Sequence, residues 1–148
     1  GSRTEWKKGS GNIWAGALKQ NPWIEEWCRA HEDYTLYGEV YGYVQDLRYG
    51  HGPGKYSFRV FDVLYKGRWL DFKELFEVGL DFDKLVPTLY VGEYNSNLIK
   101  MYADGNSLIP GASHLREGIV IKPVVNRQDH AIGRVILKVV SNNYLERA

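Results

Sequence analysis

The sequence predicts an α+β fold built on antiparallel sheet. Stretches that read as strands outnumber those that read as helices, and the two kinds do not alternate in the regular way that a doubly wound parallel sheet requires. No GxGxxG pattern and no P-loop pattern occurs, which argues against nucleotide binding of those two kinds. The 148 residues suit one domain with one core. Apolar residues make up 44% and charged residues 25%, an ordinary globular balance.

Taken in order, residues 1 to 11 are polar and glycine-dotted. Asn12 to Gln20 reads as a short helix weakened by Gly16. Asn21-Pro22 reads as an N-cap followed by proline at the first helical position. Trp23, Ile24, Trp27, Cys28 and His31 then fall on one helical face, an aromatic stripe that suits a core better than a ligand site. Tyr34 to Tyr43 and Tyr56 to Tyr65 read as strands, separated by the glycine- and proline-rich loop Tyr49 to Lys55. Lys66-Gly67 reads as a turn into Arg68-Trp69-Leu70. Asp71 and Glu74 stand at capping-box spacing. Val86 to Gly92 reads as a short strand entered through Pro87, Ser96 to Ala103 as a helix, and Leu108 to Ser113 as a loop. Arg116 to Val125 and Ile132 to Val140 read as two further strands, and Ser141 as the start of a last helix.

The composition limits the function. Net charge is +1, so any nucleic-acid contact comes from a local patch and not from a global field. Cys28 is the only cysteine, which excludes an internal disulfide and favours a reducing, intracellular (cytoplasmic) setting. The four histidines show no metal-ligand spacing. No apolar run is long enough to span a bilayer, and a membrane partner is not expected. Eleven tyrosines and five tryptophans supply surfaces that bury well and that also stack on nucleobases.

Several strands carry polar residues that a plain sheet does not need. Glu39 follows Gly38 in "LYGEVYG", Asp62 follows Phe61 in "RVFDVLYKG", Glu117-Gly118 opens "REGIVIKP", and Lys138 sits in "RVILKVVS". Any one of them has an ordinary explanation. Glu39 could face a lysine at the surface, Asp62 could accept a backbone hydrogen bond, and Lys138 could snorkel from an edge. As a set they suit a nucleotide pocket, in which lysines meet phosphates, acids hold a divalent cation or ribose hydroxyls, and an aromatic face stacks on a base. Strict alternation puts Phe61 and Asp62 on opposite faces. It also separates Glu117 from Gly118, Val120 and Lys122, unless the Glu-Gly step is bulged.

The order of these pieces resembles the covalent nucleotidyltransferases, and within them the ATP-dependent RNA ligases of the Deinococcus type. "REGIVIKP" (Arg116 to Pro123) is similar to their motif IV, "VFDV" (Val60 to Val63) to motif III, and "RVILKVVSNNYL" (Arg134 to Leu145) to motif V. "YGEVYG" (Tyr37 to Gly42) is similar to the Gly-Glu element between motifs I and III, and "SRTEWK" (Ser2 to Lys7) to motif Ia. The resemblance implies an antiparallel-sheet, ATP-grasp-like adenylyltransferase domain over 1–148. It implies ATP as cofactor with Mg²⁺ or Mn²⁺, and RNA ends as partners, in nicked or broken RNA or in an RNA/DNA hybrid. By the same resemblance Phe61 stacks on adenine, Glu39 holds the ribose, and Arg3 contacts the nucleotide or the RNA end. Glu117 binds or positions the metal, and Lys122 and Lys138 contact phosphate, with Lys138 near the reacting phosphorus.

The chain departs from the family pattern at two places. The nucleophilic lysine of motif I lies in a Lys-x-Asp-Gly pattern that this sequence does not contain; Lys8-Gly9-Ser10-Gly11 lacks the acid and follows the motif Ia match. Val140 stands where motif V often has a second lysine. The expectation is therefore an N-terminally truncated domain that is inactive alone. A DNA ligase or capping-type nucleotidyltransferase, a non-catalytic nucleotide- or nucleic-acid-end binder, and an unrelated α+β domain are the alternatives. The last of these predicts that Glu39, Phe61, Glu117 and Lys138 point to unrelated places.

Overall fold

A computed structural model describes residues 12–44 and 47–147. The motif Ia match, Arg3 and the Lys8-Gly9 step lie outside the described residues.

Two short helices open the described chain. In α1 (Ile13–Gln20) the Asn12 side chain accepts a hydrogen bond from the Ala15 amide at 2.7 Å, an N-cap that starts the helix despite Gly16. Pro22, not Asn21, occupies the N-cap position of α2 (Trp23–Ala30). The Asn21 carboxamide instead donates to the Ala17 carbonyl at 2.8 Å and to the Tyr56 carbonyl at 3.2 Å. It thus ties the interhelical joint to the next strand. Ile24 and Trp27 are buried, and His31 stacks on Trp27 with ring centroids 4.0 Å apart. Cys28, expected on that apolar face, is exposed.

Strands β1 (Tyr34–Gly42), β2 (Tyr56–Tyr65) and β3 (Arg68–Trp69) form an antiparallel three-stranded sheet in that order. Lys66 (φ 46°) and Gly67 (φ 79°) make the tight turn into β3. The core packs on one face of this sheet and contains Trp27, Val60, Val63, Leu70, Leu75, Leu80 and Leu85. The register of β1 and β2 shifts at one point. Tyr37 pairs with Asp62 and Gly38 with Val60, which leaves Phe61 as an extra residue on β2. This β-bulge changes the parity of the strand. Phe58 and Val60 meet the core before it, Val63 and Tyr65 after it. Phe61 and Asp62 are consequently placed together on the face away from the core, and not on opposite faces as strict alternation predicts.

Helix α3 (Phe72–Glu77) starts in a capping box, with the Asp71 amide donating to Glu74 Oε1 at 2.9 Å. Val86 to Gly92 is not a strand; only Leu85 bridges β2, in parallel at Val60. Pro87 supplies no N–H for a longer ladder. Helix α4 (Asn97–Tyr102) falls where the sequence predicts one.

The two long strands expected in the C-terminal third are shorter and broken. Strand β4 (Gly118–Ile121) pairs antiparallel with β7 (Leu137–Val140), while β5 (Gln128–Asp129) and β6 (Gly133–Arg134) make a small hairpin between them. Helix α5 (Asn142–Glu146) is capped by Ser141, whose hydroxyl accepts from the Tyr144 amide at 3.1 Å.

Glu74 reports on the integrity of α3. Its carboxylate takes two hydrogen bonds from Arg68 at 2.8 Å as well as the Asp71 amide, and these hold its pKa down to about 2. A lowered carboxyl pKa stabilises the fold fully above the ordinary value of 4.5, and that contribution is lost as pH falls towards about 2. Glu74→Gln should lower stability by roughly 0.5–1 kcal/mol at neutral pH. Its difference from wild type in urea unfolding should shrink through that acid range.

Candidate nucleotide site

One buried carboxylate of the first sheet is bonded from both β6 and the end of β4. Asp62 is 4% exposed. Arg134 of β6 meets it side-on, Nη1 to Oδ2 at 2.7 Å and Nη2 to Oδ1 at 2.8 Å. Lys122, just past β4, adds Nζ to Oδ1 at 3.3 Å and donates to the Phe61 carbonyl at 2.8 Å. The paired, two-pronged geometry compensates a charge that would otherwise be costly to bury. Arg134 is itself fixed. Its guanidinium lies 4.4 Å over the Trp69 ring and donates to Asn126 Oδ1 at 2.8 Å from Nη2 and 3.2 Å from Nε. Asn126 in turn donates to the Leu70 carbonyl at 2.8 Å, and its amide donates to Asp71 at 2.8 Å. Tyr37 packs edge-on against Trp69 at 5.2 Å.

This bracket brings residues singled out in the sequence to one region. Glu39 shares the non-core face of β1 with Tyr37, two residues away. Phe61 is 42% exposed on the bulge beside Asp62. Across from them, Lys138 pairs with Val120 in the regular β4–β7 register. Glu117 and Lys138 are both close enough to act on the Glu39 carboxyl. Burial by surrounding atoms raises the Glu39 pKa, the Glu117 charge raises it further, and Lys138 partly offsets both. Glu117 and Lys138 thus both lie within electrostatic range of Glu39. Lys122 reaches the same region from behind, through Phe61 and Asp62.

Glu117 owes its place to its neighbours. The ladder continues past β4, with the Ser141 amide donating to the Glu117 carbonyl at 2.9 Å. Gly118 has φ +156°, and a Cβ there would run into the Val139 carbonyl oxygen. Only glycine allows this approach of the two strands. The Arg116 amide donates to the Gly105 carbonyl at 2.9 Å, and its guanidinium to the Asp104 carbonyl at 3.1 Å. Ser141, fully buried, donates its hydroxyl to the Asp104 carboxylate, which also receives the Asn143 amide at 3.2 Å. These bonds hold the Asp104 pKa below the usual carboxylate range. No bulge interrupts the pairing at Glu117-Gly118, and the positive φ of Gly118 is the irregularity at this step.

Tyr49 is a member of the site that sequence reasoning missed. It opens the glycine-rich loop, adopts φ 53°, and is wedged edge-on between Tyr41 at 5.2 Å and His114 at 4.4 Å. Burial, then the charges of Glu117 and Glu39, push its phenol pKa upward, which keeps the hydroxyl protonated. Arg134, Asn126 and Asp104 were missed as well. A buried aspartate on a central strand demands a cation, but nothing in the sequence spacing says which one.

Among the described residues no group of three His, Cys, Asp or Glu is arranged to hold a metal. Glu39 and Glu117 supply two carboxylates. That fits a Mg²⁺-like ion, which keeps several waters and takes one or two carboxylates together with substrate phosphates.

Arg134→Ala should cost about 3–5 kcal/mol of stability, since it strands a buried carboxylate. Arg134→Lys should recover only part of that, because the side-on pair and the stacking on Trp69 need the planar guanidinium. Urea unfolding of the two variants measures both effects.

A known protein shares this fold. The chain superimposes on a mutant of Naegleria gruberi RNA ligase, solved with AMP and Mn, with a TM-score of 0.72 at 24% identity. The match covers 96% of this chain and 42% of that one, so the chain spans less than half the length of that ligase. No curated protein matches it in sequence. The sequence pattern of the RNA ligase family matches residues 2–140, and with that coverage the chain belongs to the RNA ligase family.

Proposed function

We propose that the region around Glu39, Glu117 and Lys138 binds ATP with a divalent cation, as the adenylyltransferase part of an RNA ligase. In the complete reaction the AMP group is carried on a lysine, transferred to a 5′-phosphate RNA end, and displaced by a 3′-hydroxyl as the strands are sealed. The observation that carries this reading is that Glu117 and Lys138 lie within electrostatic range of Glu39, on the same non-core face of the first sheet as the exposed Phe61. The AMP and Mn in the Naegleria gruberi RNA ligase structure support it.

Each residue has work that its chemistry suits. Phe61 offers an aromatic face to adenine. Glu39, whose surroundings hold its proton more tightly than usual, suits hydrogen bonding to ribose hydroxyls. Glu117, with Glu39 nearby, would hold the cation, whose charge would relieve the repulsion between the two acids. When bound, that cation would neutralise phosphate oxygens. Lys138 would meet the α-phosphate as a point charge. Lys122 directs two donors to Phe61 and Asp62 and has a third left for phosphate. Arg3 keeps its proposed role at the nucleotide or the RNA end. The lysine that forms a phosphoramide bond belongs to a Lys-x-Asp-Gly pattern absent from this sequence, so the proposed role of the chain alone is binding and positioning.

Calorimetric titration with ATP and Mg²⁺ tests the reading. Glu117→Ala and Lys138→Ala should each weaken binding by roughly tenfold or more, the scale of a lost charge-assisted contact. Phe61→Ala should weaken it more than Phe61→Tyr, which keeps the stacking face. Wild-type protein that binds no ATP would overturn the proposal.

A further inference from the structure

Beside the nucleotide site lies an open cleft of ≈ 570 Å³ that none of the roles above uses. Its walls are the glycine-rich loop from Tyr49 to Lys55, the start of β2 at Tyr56 and Ser57, and Pro110-Gly111. Three features set it apart. Among the described residues no aspartate or glutamate lines it. Lys55 is exposed and has no ion-pair partner among the described residues. Tyr49 is shared, forming a wall of the cleft while standing near Glu39 and Glu117.

The cleft is also built, not incidental. Gln20 pins the far end of the loop, donating to the Gly54 carbonyl at 2.7 Å and accepting from the Tyr56 amide at 2.8 Å. The His51 ring spans Tyr49 O at 3.0 Å and Ser57 Oγ at 2.8 Å. Gly50 has φ +78°, and a Cβ there would collide with the Gly111 carbonyl, so the two walls meet only because the residue is glycine. Gly54 also takes a positive φ (+73°) with open space around it. A loop of this kind presents backbone to a ligand without side chains in the way.

We propose that this cleft holds the sugar–phosphate backbone of the RNA strand whose end is presented to Glu39 and Glu117. The inference rests on the nucleotide reading above for the place of the reacting end. A wall without acids among the described residues, carrying a lysine with no ion-pair partner among them, favours phosphate, and Tyr49, packed on Tyr41 two residues from Glu39, makes the strand's path continuous with the site. The volume lies in the range of small-ligand clefts and admits about one nucleotide at a time. The remaining strand would run on over the open surface.

Fluorescence anisotropy with a short, labelled, 5′-phosphorylated single-stranded RNA tests this, with ATP calorimetry run on the same proteins. A Cβ added at Gly52 would meet nothing within 4 Å, and its φ is not positive, so the position accepts a side chain without strain. Gly52→Glu should weaken RNA binding roughly tenfold, while the neutral Gly52→Gln binds within about twofold of wild type. Lys55→Ala should weaken RNA binding and lower the slope of log affinity against log salt by about one. ATP binding should be unchanged in all three. RNA binding by Gly52→Glu and Lys55→Ala equal to wild type would overturn the cleft assignment, as would equal losses in Gly52→Gln and Gly52→Glu. Wild-type protein that binds ATP but no RNA would also overturn it and leave the nucleotide reading standing. Wild-type protein that fails to bind ATP would sink that reading instead.

Discussion

The structure depends on the buried carboxylate of Asp62. The three-stranded sheet carries Glu39 and Phe61, while the β4–β7 pair carries Glu117 and Lys138. Asp62, gripped by Arg134 and Lys122, is the buried charged link that sets one against the other. A hydrophobic contact in its place would resist separation but would leave sliding and rotation open. A two-pronged arginine pair fixes direction as well as distance. The bracket also reaches outward, since Arg134 rests on Trp69 and Asn126 fastens it to the start of α3.

The bulge at Phe61 gives that link its second use. One extra residue turns Phe61 and Asp62 to the same face, so the residue that anchors the second layer sits beside the residue that offers an aromatic surface. Lys122 binds both, through the Phe61 carbonyl and the Asp62 carboxylate. The electrostatics follow the same logic. Two acids share a space that is partly removed from water, and the cost appears as the raised pKa of Glu39. A divalent cation and a phosphate chain would reduce that cost.

Much of this was legible in the sequence. β2 matches its reading from Tyr56 to Tyr65, and the capping box at Asp71 and Glu74 is formed. Local pattern suffices for such elements because their cause is local. The order of short motifs was enough to point to the RNA ligases, and the family match over residues 2–140 agrees. What was not legible depended on pairing. The side of the sheet taken by Phe61 is set by a single skipped partner opposite Tyr37 and Gly38. The partner of Asp62 lies 72 residues away, at a position where several cations would serve. Tyr49 joins the site through a left-handed backbone turn that a tyrosine seldom adopts, which no spacing rule indicates. Val86 to Gly92 failed as a strand because no neighbour offers it a ladder beyond the bridge at Leu85.

The most direct measurement is ATP affinity in Asp62→Asn, which keeps the shape of the side chain and removes its charge. Asp62 need not touch the nucleotide itself, because its effect is exerted through Arg134 and Lys122 on the second layer. ATP binding should fall sharply, with a folded protein still seen by a cooperative unfolding transition. Wild-type affinity in a folded Asp62→Asn would contradict the claim that this carboxylate assembles the site from its two halves.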